Sequence, residues 1–405
     1  MLRFPDRPRR PGPDLGGSAH PGGGVSLTVR PIYPEFQVPS STRLPRNPID
    51  AEDVRDRVNA ALSAFMAERT ALLSGISDQL GPVADALREF LLDGGKRLRP
   101  AFCYWGWRAA GGDADEPGIE RAAAALELLQ ASALVHDDLM DRSDTRRGLP
   151  SVHRRFEGLH RSSGWRGDRE QYGASAAVLL GDLLLIWCDE LFQRSGLPAA
   201  AVSAAKPAFD LMRTEVMLGQ YLDVLEPVAG DSTDADALDR ARTVLHYKSA
   251  KYTIERPLQV GALLAGAGPD LVEALGNFGL PLGEAFQLRD DLLGVFGDPA
   301  ITGKPAGDDL REGKRTLLVA HAMRGLSEGD AKTLDARLGA PDLTADEVVA
   351  LRDLISASGA PAIVEARIDQ LFTEALTALH AAPIADGPTR EVLQALADAA
   401  TVRKY

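Results

Sequence analysis

No stretch of this chain alternates apolar and polar residues as a half-buried strand requires, whereas helical spacing of apolar residues recurs along most of it. That spacing runs through residues 51–73, 77–93, 97–110 and 118–141. It resumes through 174–195, 199–226, 235–266 and 270–296, then continues in shorter segments to the C-terminus. One of the later helices opens with a capping box, Thr344 and Glu347. The first is expected to begin at Asp50, an N-cap followed by Glu52 and Asp53 in the electropositive first turn. Alanine and leucine dominate and aromatic residues make up only 6%. The expected fold class is therefore all-α. With 45% apolar residues among 405 there is material for one large core. Residues 1–48 differ: they are rich in Pro, Gly and Arg, lack periodicity and read as disordered. Residues 49–405 read as a single large helical bundle.

The helix that carries chemistry ends at Leu134-Val135-His136-Asp137-Asp138-Leu139-Met140-Asp141, closing a largely apolar run from Ala122 to Val135. Asp137 and Asp141 stand four apart and Asp138 and Asp141 three apart, so the three carboxylates can point to one side. Like charges on one face repel, and Mg²⁺ is the usual remedy: a hard cation that takes carboxylate oxygens and keeps positions for water and phosphate. A solvated acidic helix end would explain the carboxylates. It would not explain the apolar run before them or the matching pair at Asp290-Asp291.

Each acidic motif leads into a polar, glycine-bearing connection, residues 142–173 and 297–315. Long connections in compact proteins often act as lids or binding loops. Basic groups lie nearby in sequence: Arg146-Arg147-Gly148 in the first loop, Lys304 and Lys314 beside Asp308 and Asp309 in the second. Gly94-Gly95-Lys96-Arg97-Leu98-Arg99-Pro100 joins two helices, and Lys248, Lys251 and Thr253 share a later one, where Glu255 could neutralise the lysines. Arginine grips phosphate in a bidentate way. Acidic clusters that bind metal, with separate basic clusters, suit a substrate carrying diphosphate and a second phosphate-bearing partner. No nucleophile with a paired base is evident, nor a strand–glycine loop–helix unit for a nucleotide. The protein's contribution would be position and electrostatics.

A net charge of −13 argues against a nucleic-acid partner. No run of 18 apolar residues marks a transmembrane span, and no apolar segment follows the N-terminal arginines to make a secretory signal. Cys103 and Cys188, both in apolar helical contexts, read as reduced core residues of a cytoplasmic protein.

Taken together, GGKRLRP at 94–100, DDLMD at 137–141, RRG at 146–148, GQYLD at 219–223, Lys251-Tyr252-Thr253, FQLRDD at 286–291 and GKPAGDDLREGKRT at 303–316 resemble the trans-isoprenyl diphosphate synthases, or polyprenyl synthetases. The likeness covers roughly Asp50 to the C-terminus and is strongest to actinobacterial geranylgeranyl diphosphate synthases. It implies an all-α bundle around a deep central cavity (the isoprenoid synthase fold), a homodimer and three Mg²⁺ ions. It implies metal ligation by Asp137, Asp141 and Asp290, with Asp138 and Asp291 in support and Gln220 and Asp223 beside the diphosphate. Arg146, Lys251 and Lys304 match contacts to the allylic diphosphate. Lys96, Arg99, Gln130 and Arg147 match contacts to isopentenyl diphosphate, and Thr253 and Gln287 fall among the substrate-binding positions. The implied reaction ionises the allylic diphosphate, joins the cation to isopentenyl diphosphate, and passes the proton to the departing diphosphate. A dry apolar cavity protects the cation.

One departure stands out. The second motif is often DDxxD, but here it reads Asp290-Asp291-Leu292-Leu293-Gly294, without the third carboxylate. Asp298 is a possible substitute. Product length is read from the helix before Asp137. One turn upstream lie Ser132 and Ala133, both small, where bulky aromatics in the family stop the product at fifteen carbons. A further turn, ~5.4 Å away, offers Leu129. The expected product is therefore geranylgeranyl diphosphate, with twenty carbons; shorter or longer products are the alternatives. A class I terpene cyclase would leave the isopentenyl diphosphate contacts without a task. A non-catalytic partner subunit would be expected to lose one aspartate cluster.

Overall fold

The computed structural model describes residues 47–229, 236–297, 307–385 and 387–401. The expectation for residues 1–46 lies outside them. Residues 47 and 48, which the sequence reading left in the disordered segment, belong to the folded body. The helix expected at Asp50 instead starts as a 3₁₀ turn, Pro48–Asp53, with Asn47 accepting from the Ile49 amide and Pro48 buried. Glu52 and Asp53 then adopt left-handed backbone (φ 53° and 55°), which breaks the turn from α1, Val54–Ile76.

Helices follow in the expected order: α2 Gly81–Leu92, α3 Leu98–Ala109 and α4 Pro117–Met140. The stretch taken as one polar connection from 142 to 173 is more structured than its composition suggests. It holds a two-residue hairpin, β1 Thr145–Arg146 with β2 Leu149–Pro150, and an amphipathic helix α5, Val152–Ser162. Arg147 and Gly148 both have positive φ (54° and 77°), as the two-residue hairpin turn that matches strand twist requires. α6 (Arg169–Gln193) and α7 (Ala199–Ala229) come next.

The periodic segment 235–266 is not one α-helix. It divides into α8 (Ala237–Val244), a π-helical segment (Leu245–Glu255) and α9 (Arg256–Leu264). The π segment is held between α7 and α10, Pro269–Phe296. Glycine stands at both contacts: a Cβ on Gly219 would come 2.4 Å from the Lys248 amide nitrogen, and one on Gly283 2.4 Å from the Ala250 carbonyl. Side chains there would push the segment away. The body closes with α11 (Asp308–Glu312), α12 (Leu317–Gly325), α13 (Glu328–Arg337), α14 (Ala345–Ala357), α15 (Ala360–Ala381) and α16 (Pro388–Thr401). The Thr344–Glu347 capping box forms at the start of α14.

α4 is buried between α1, α3 and α6, while α10 packs on the π segment and α15. Trp105, Phe102 and Tyr104 of α3 are almost fully buried, and Phe192 of α6 stacks on Phe209 of α7 at 4.0 Å. Cys103 and Cys188 are free and buried, and burial pushes both thiols up to about 12. No helix among the described residues is long and apolar enough to cross a membrane.

Candidate active site

The C-terminal end of α4 and the last turns of α10 face a common cavity of about 610 Å³. Leu134, Asp137, Arg146, Asp223, Lys248, Gln287, Asp290, Asp291, Asp309 and Lys314 all line it. A second cleft, about 740 Å³, shares Arg146, Asp223, Asp308 and Lys314 with the first and carries Asp141 and Arg147. The two acidic motifs, far apart in sequence, thus meet at one charged space.

Three polar side chains reach Asp137. Gln220 Nε2 donates to its Oδ1 at 3.0 Å, Lys248 Nζ at 3.3 Å, and Arg146 Nη2 lies 3.7 Å from Oδ2. Burial would raise this carboxyl, but Lys248, Lys314 and Arg146 hold it below the usual range. Asp141 goes the other way, pushed up by burial and by the charge of Asp137, with Lys314 Nζ at 3.7 Å opposing the shift. Asp138 does not share the open side with its neighbours, as α-helical spacing allowed. It turns inward, 1% exposed, and its Oδ1 accepts two hydrogen bonds from Arg146. Burial raises its pKa against that arginine.

Across the cavity, Gln287 Nε2 donates to Asp291 Oδ1 at 2.8 Å. Burial pushes the Asp291 carboxyl up to about 8, with Asp309 and Asp290 adding to the shift. Lys314 spans the gap between the motifs: its Nζ lies 2.5 Å from Glu312, 3.7 Å from Asp141 and 3.8 Å from Asp309. Those carboxylates hold Lys314 well above its usual pKa despite burial.

Do these residues suit a divalent cation? No three acidic, histidine or cysteine side chains among the described residues are gathered closely enough to form a finished metal site. The donor chemistry nonetheless fits a hard cation, being carboxylate oxygen throughout. The buried Oδ2 atoms of Asp138 and Asp141 have no hydrogen-bond partner. Both aspartate motifs also carry carboxyls raised by crowding and burial, a cost that positive charge relieves.

The structure redistributes several expected contacts. Lys251, expected against the allylic diphosphate, points elsewhere: its Nζ pairs with Glu215 Oε1 at 3.1 Å, in a network that Arg256 joins. Lys248 takes the cavity position and also donates to Asp223 at 2.6 Å. The physical reason is the π segment, whose i→i+5 bonding changes which residues share a face. Lys248 and Lys314 stand among the basic groups of the sequence, but the resemblance assigns neither of them a role. Lys304 and Asp298 lie outside the described residues.

The other basic positions form two groups. Arg147 lies against the Gly94-Gly95 turn and donates to the Phe90 carbonyl at 3.3 Å. Arg99 stacks on Tyr252 at 4.1 Å and donates to Thr253 Oγ1 at 2.8 Å, while the Tyr252 hydroxyl donates to Gln130 at 2.9 Å. Lys96 opens onto the 610 Å³ cavity. Arg97 does not join its neighbours and is buried. Of the product-length positions, Leu129 and Ser132 are fully buried and Ala133 half-buried. Leu134, not these three, lines the cavity.

A model of the polyprenyl synthetase family matches residues 82–355, which span α2 through most of α14 and carry every cavity residue named above. The chain belongs to the polyprenyl synthetase family. As such it is a prenyltransferase, of a Mg²⁺-dependent family that uses allylic diphosphates and isopentenyl diphosphate. The solved geranylgeranyl pyrophosphate synthase of Corynebacterium glutamicum, complexed with isoprenyl diphosphate and magnesium, is 41% identical. It superposes with a TM-score of 0.83, covering 87% of this chain and 99% of that one. The geranylfarnesyl diphosphate synthase of Aeropyrum pernix is 33% identical over 308 residues, 75% of this polyprenyl synthetase and 89% of the relative. The (2E,6E)-farnesyl diphosphate synthase of Mycobacterium bovis is 35% identical over 301 residues, 74% and 77% of the two chains. These relatives differ in the product they are named for.

Proposed function

We propose that this polyprenyl synthetase condenses an allylic diphosphate with isopentenyl diphosphate and releases mainly the twenty-carbon product, geranylgeranyl diphosphate. The observation that carries the reading is the meeting of Asp137 of α4 with Asp290 and Asp291 of α10 around one cavity that also holds Arg146, Lys248 and Lys314. Asp137, Asp141 and Asp290 are the residues that would hold the cation, taken as three Mg²⁺ ions. When bound, Mg²⁺ supplies positive charge against the departing diphosphate. Arg146, anchored by Asp138, and Lys248, anchored by Asp223, present fixed cationic groups to the same diphosphate. Lys96, Arg147 and the Arg99–Tyr252–Gln130 group form the place for isopentenyl diphosphate. Leu134 begins the apolar wall that keeps water from the reacting carbons. The setting is cytoplasmic. The test is product analysis with purified protein, Mg²⁺, isopentenyl diphosphate and each short allylic primer in turn. Product formed without isopentenyl diphosphate would point to a cyclase, and no product at all to a non-catalytic subunit.

Product length is assigned to α4. On this reading the small Ala133, one turn before Asp137, would let a tail pass and Leu129, one turn further, would stop it, although neither lines the cavity itself. Ala133→Phe should shorten the main product to fifteen carbons, and Leu129→Ala should lengthen it beyond twenty. A close approach of α6 is a competing reason for small residues here, since a Cβ on Gly181 would come 2.1 Å from the His136 ring. Chain length unmoved by both variants would remove α4 from the measurement.

The polyprenyl synthetase is further proposed to be a homodimer. Val178, Leu179 and Ile186 of α6, and Leu211, Leu218, Tyr221, Leu225 and Val228 of α7, are large apolar side chains left exposed. Leu179 is 66% exposed, Ile186 63% and Leu218 59%. Exposed apolar residues gathered into a patch mark an interaction surface, and these are the candidates for one. Light scattering should give twice the chain mass, and Leu179→Asp with Ile186→Asp should give the monomer. A wild-type monomer would refute the dimer.

A further inference from the structure

Glu215, Gly219 and Asp223 stand four residues apart along α7 and so form one row on its surface. Each meets the π segment at a different point. Asp223 accepts from Lys248 Nζ at 2.6 Å. Gly219 lies against the backbone of Lys248, whose nitrogen is 2.4 Å from where a Cβ would stand. Glu215, only 8% exposed, takes three hydrogen bonds. Its Oε1 accepts from Lys251 Nζ at 3.1 Å and from Arg256 Nη2 at 2.8 Å, and its Oε2 from Arg256 Nε at 2.7 Å. Lys251 and Arg256 are also joined through the backbone: the Arg256 amide donates to the Lys251 carbonyl, an i→i+5 bond at the end of the segment. One carboxylate thus grips both ends of the closing π turn.

We propose that Glu215 is a positioning residue for Lys248: its grip on Lys251 and Arg256 holds the segment in π register and so keeps Lys248, and not Lys251, at Asp137. The proposal rests on the reading above, in which Lys248 faces the allylic diphosphate. The two registers differ in which residues share a face. At 3.6 residues per turn, residues 251 and 256 would lie about 140° apart around the axis, and Glu215 would reach only one of them. Residues 248 and 251 would then be only about 60° apart, on one face, with both lysines competing for the same carboxylates. The i→i+5 bonds reverse both relations: they bring 251 and 256 together and separate 248 from 251. Buried as it is, Glu215 has little water to replace a lost partner. A carboxylate that needs both Lys251 and Arg256 is therefore satisfied only in the register that presents Lys248.

The test uses the full chain. The first readout is kcat/KM for geranyl diphosphate at saturating Mg²⁺ and isopentenyl diphosphate; the second is the unfolding midpoint. Lys248→Met should lower kcat/KM, and Glu215→Gln should lower it by up to about 10²-fold, the cost of a small misplacement at a reacting centre. Lys248→Met with Glu215→Gln should be little worse than Lys248→Met alone, because Glu215 acts through Lys248 and the two losses do not add. A residue that only stabilised the fold would give independent losses. Glu215→Leu with Lys251→Met and Arg256→Met removes all three charges and leaves none of them unpaired. It should hold the midpoint near that of the wild type, while kcat/KM stays low. This triple variant carries the test if Glu215→Gln fails to fold. Losses that add, or wild-type kcat/KM in the folded triple variant, would overturn the proposal. If Lys248→Met itself kept wild-type kcat/KM, the reading of Lys248 would fall first and the proposal with it.

Discussion

Asp137→Ala is expected to lower turnover by about 10²–10³, ~2.7–4 kcal/mol of transition-state stabilisation, by comparison with removing one preorganised group that opposes developing charge. The comparison is apt because Asp137 is where the cavity's positive groups converge. Gln220, Lys248 and Arg146 all reach it, and its carboxyl stays ionised against the effect of burial. The fold should survive the loss. Lys248 keeps Asp223 at 2.6 Å, and Arg146 keeps its bonds to Asp138. Removing one of several crowded carboxylates also relieves repulsion with Asp141. The check is kcat at saturating Mg²⁺ together with the unfolding midpoint. Near-normal turnover would refute the role of Asp137; lost activity with a collapsed midpoint would show that it was structural.

The largest stability effect is expected at a residue with no place in the chemistry. Arg97 stands inside the basic string at 94–100, yet only 2% of it is exposed. Its Nη1 donates to Glu127 Oε1 at 2.6 Å, its Nε to Asn59 at 2.8 Å and its Nη2 to the Leu91 carbonyl at 2.5 Å. This one side chain ties α1, α2 and α4 together. Arg97→Ala leaves Glu127 buried at 5% exposure without its charge partner, a change that typically costs ~3–5 kcal/mol. Denaturant unfolding, or the inactivation half-life at fixed temperature if unfolding is irreversible, measures it. Arg97→Lys should rescue little, because an ammonium cannot make the forked set of bonds. Arg97→Met with Glu127→Leu should recover much of the loss, since replacing both members of a buried pair by apolar residues is often neutral. A loss under ~1 kcal/mol, the range of exposed pairs, would show that the pair is not the tie described.

The same string shows how far the sequence reads. Charge and spacing alone do not separate the three cations of Lys96-Arg97-Leu98-Arg99, of which the resemblance assigns only Lys96 and Arg99 to substrate. One opens on the cavity, one is buried against Glu127, and one stacks on Tyr252. Spacing of two or three residues cannot separate these outcomes, because the turn before α3 places Arg97 in left-handed backbone (φ 54°) and redirects its side chain. Composition shows the charges of the 142–173 connection but not that residues 152–162 within it form the helix α5. Its hairpin has only two residues in each strand, too few for an alternating pattern.

What the sequence by itself determined was the all-α class, the order and approximate limits of most helices, the capping box, the two acidic motifs and the family. These follow from local periodicity and short-range spacing, which the chain carries wherever it folds. Only the tertiary structure decided which charges meet. It placed Lys248 rather than Lys251 beside Asp137, because packing between α7 and α10 holds residues 245–255 in a π-helix and shifts every face that α-helical counting assigns. It turned Asp138 inward onto Arg146 and set Lys314 between the two motifs. It also laid the Asp309 carboxylate against Gly294, a contact between elements that local sequence does not register.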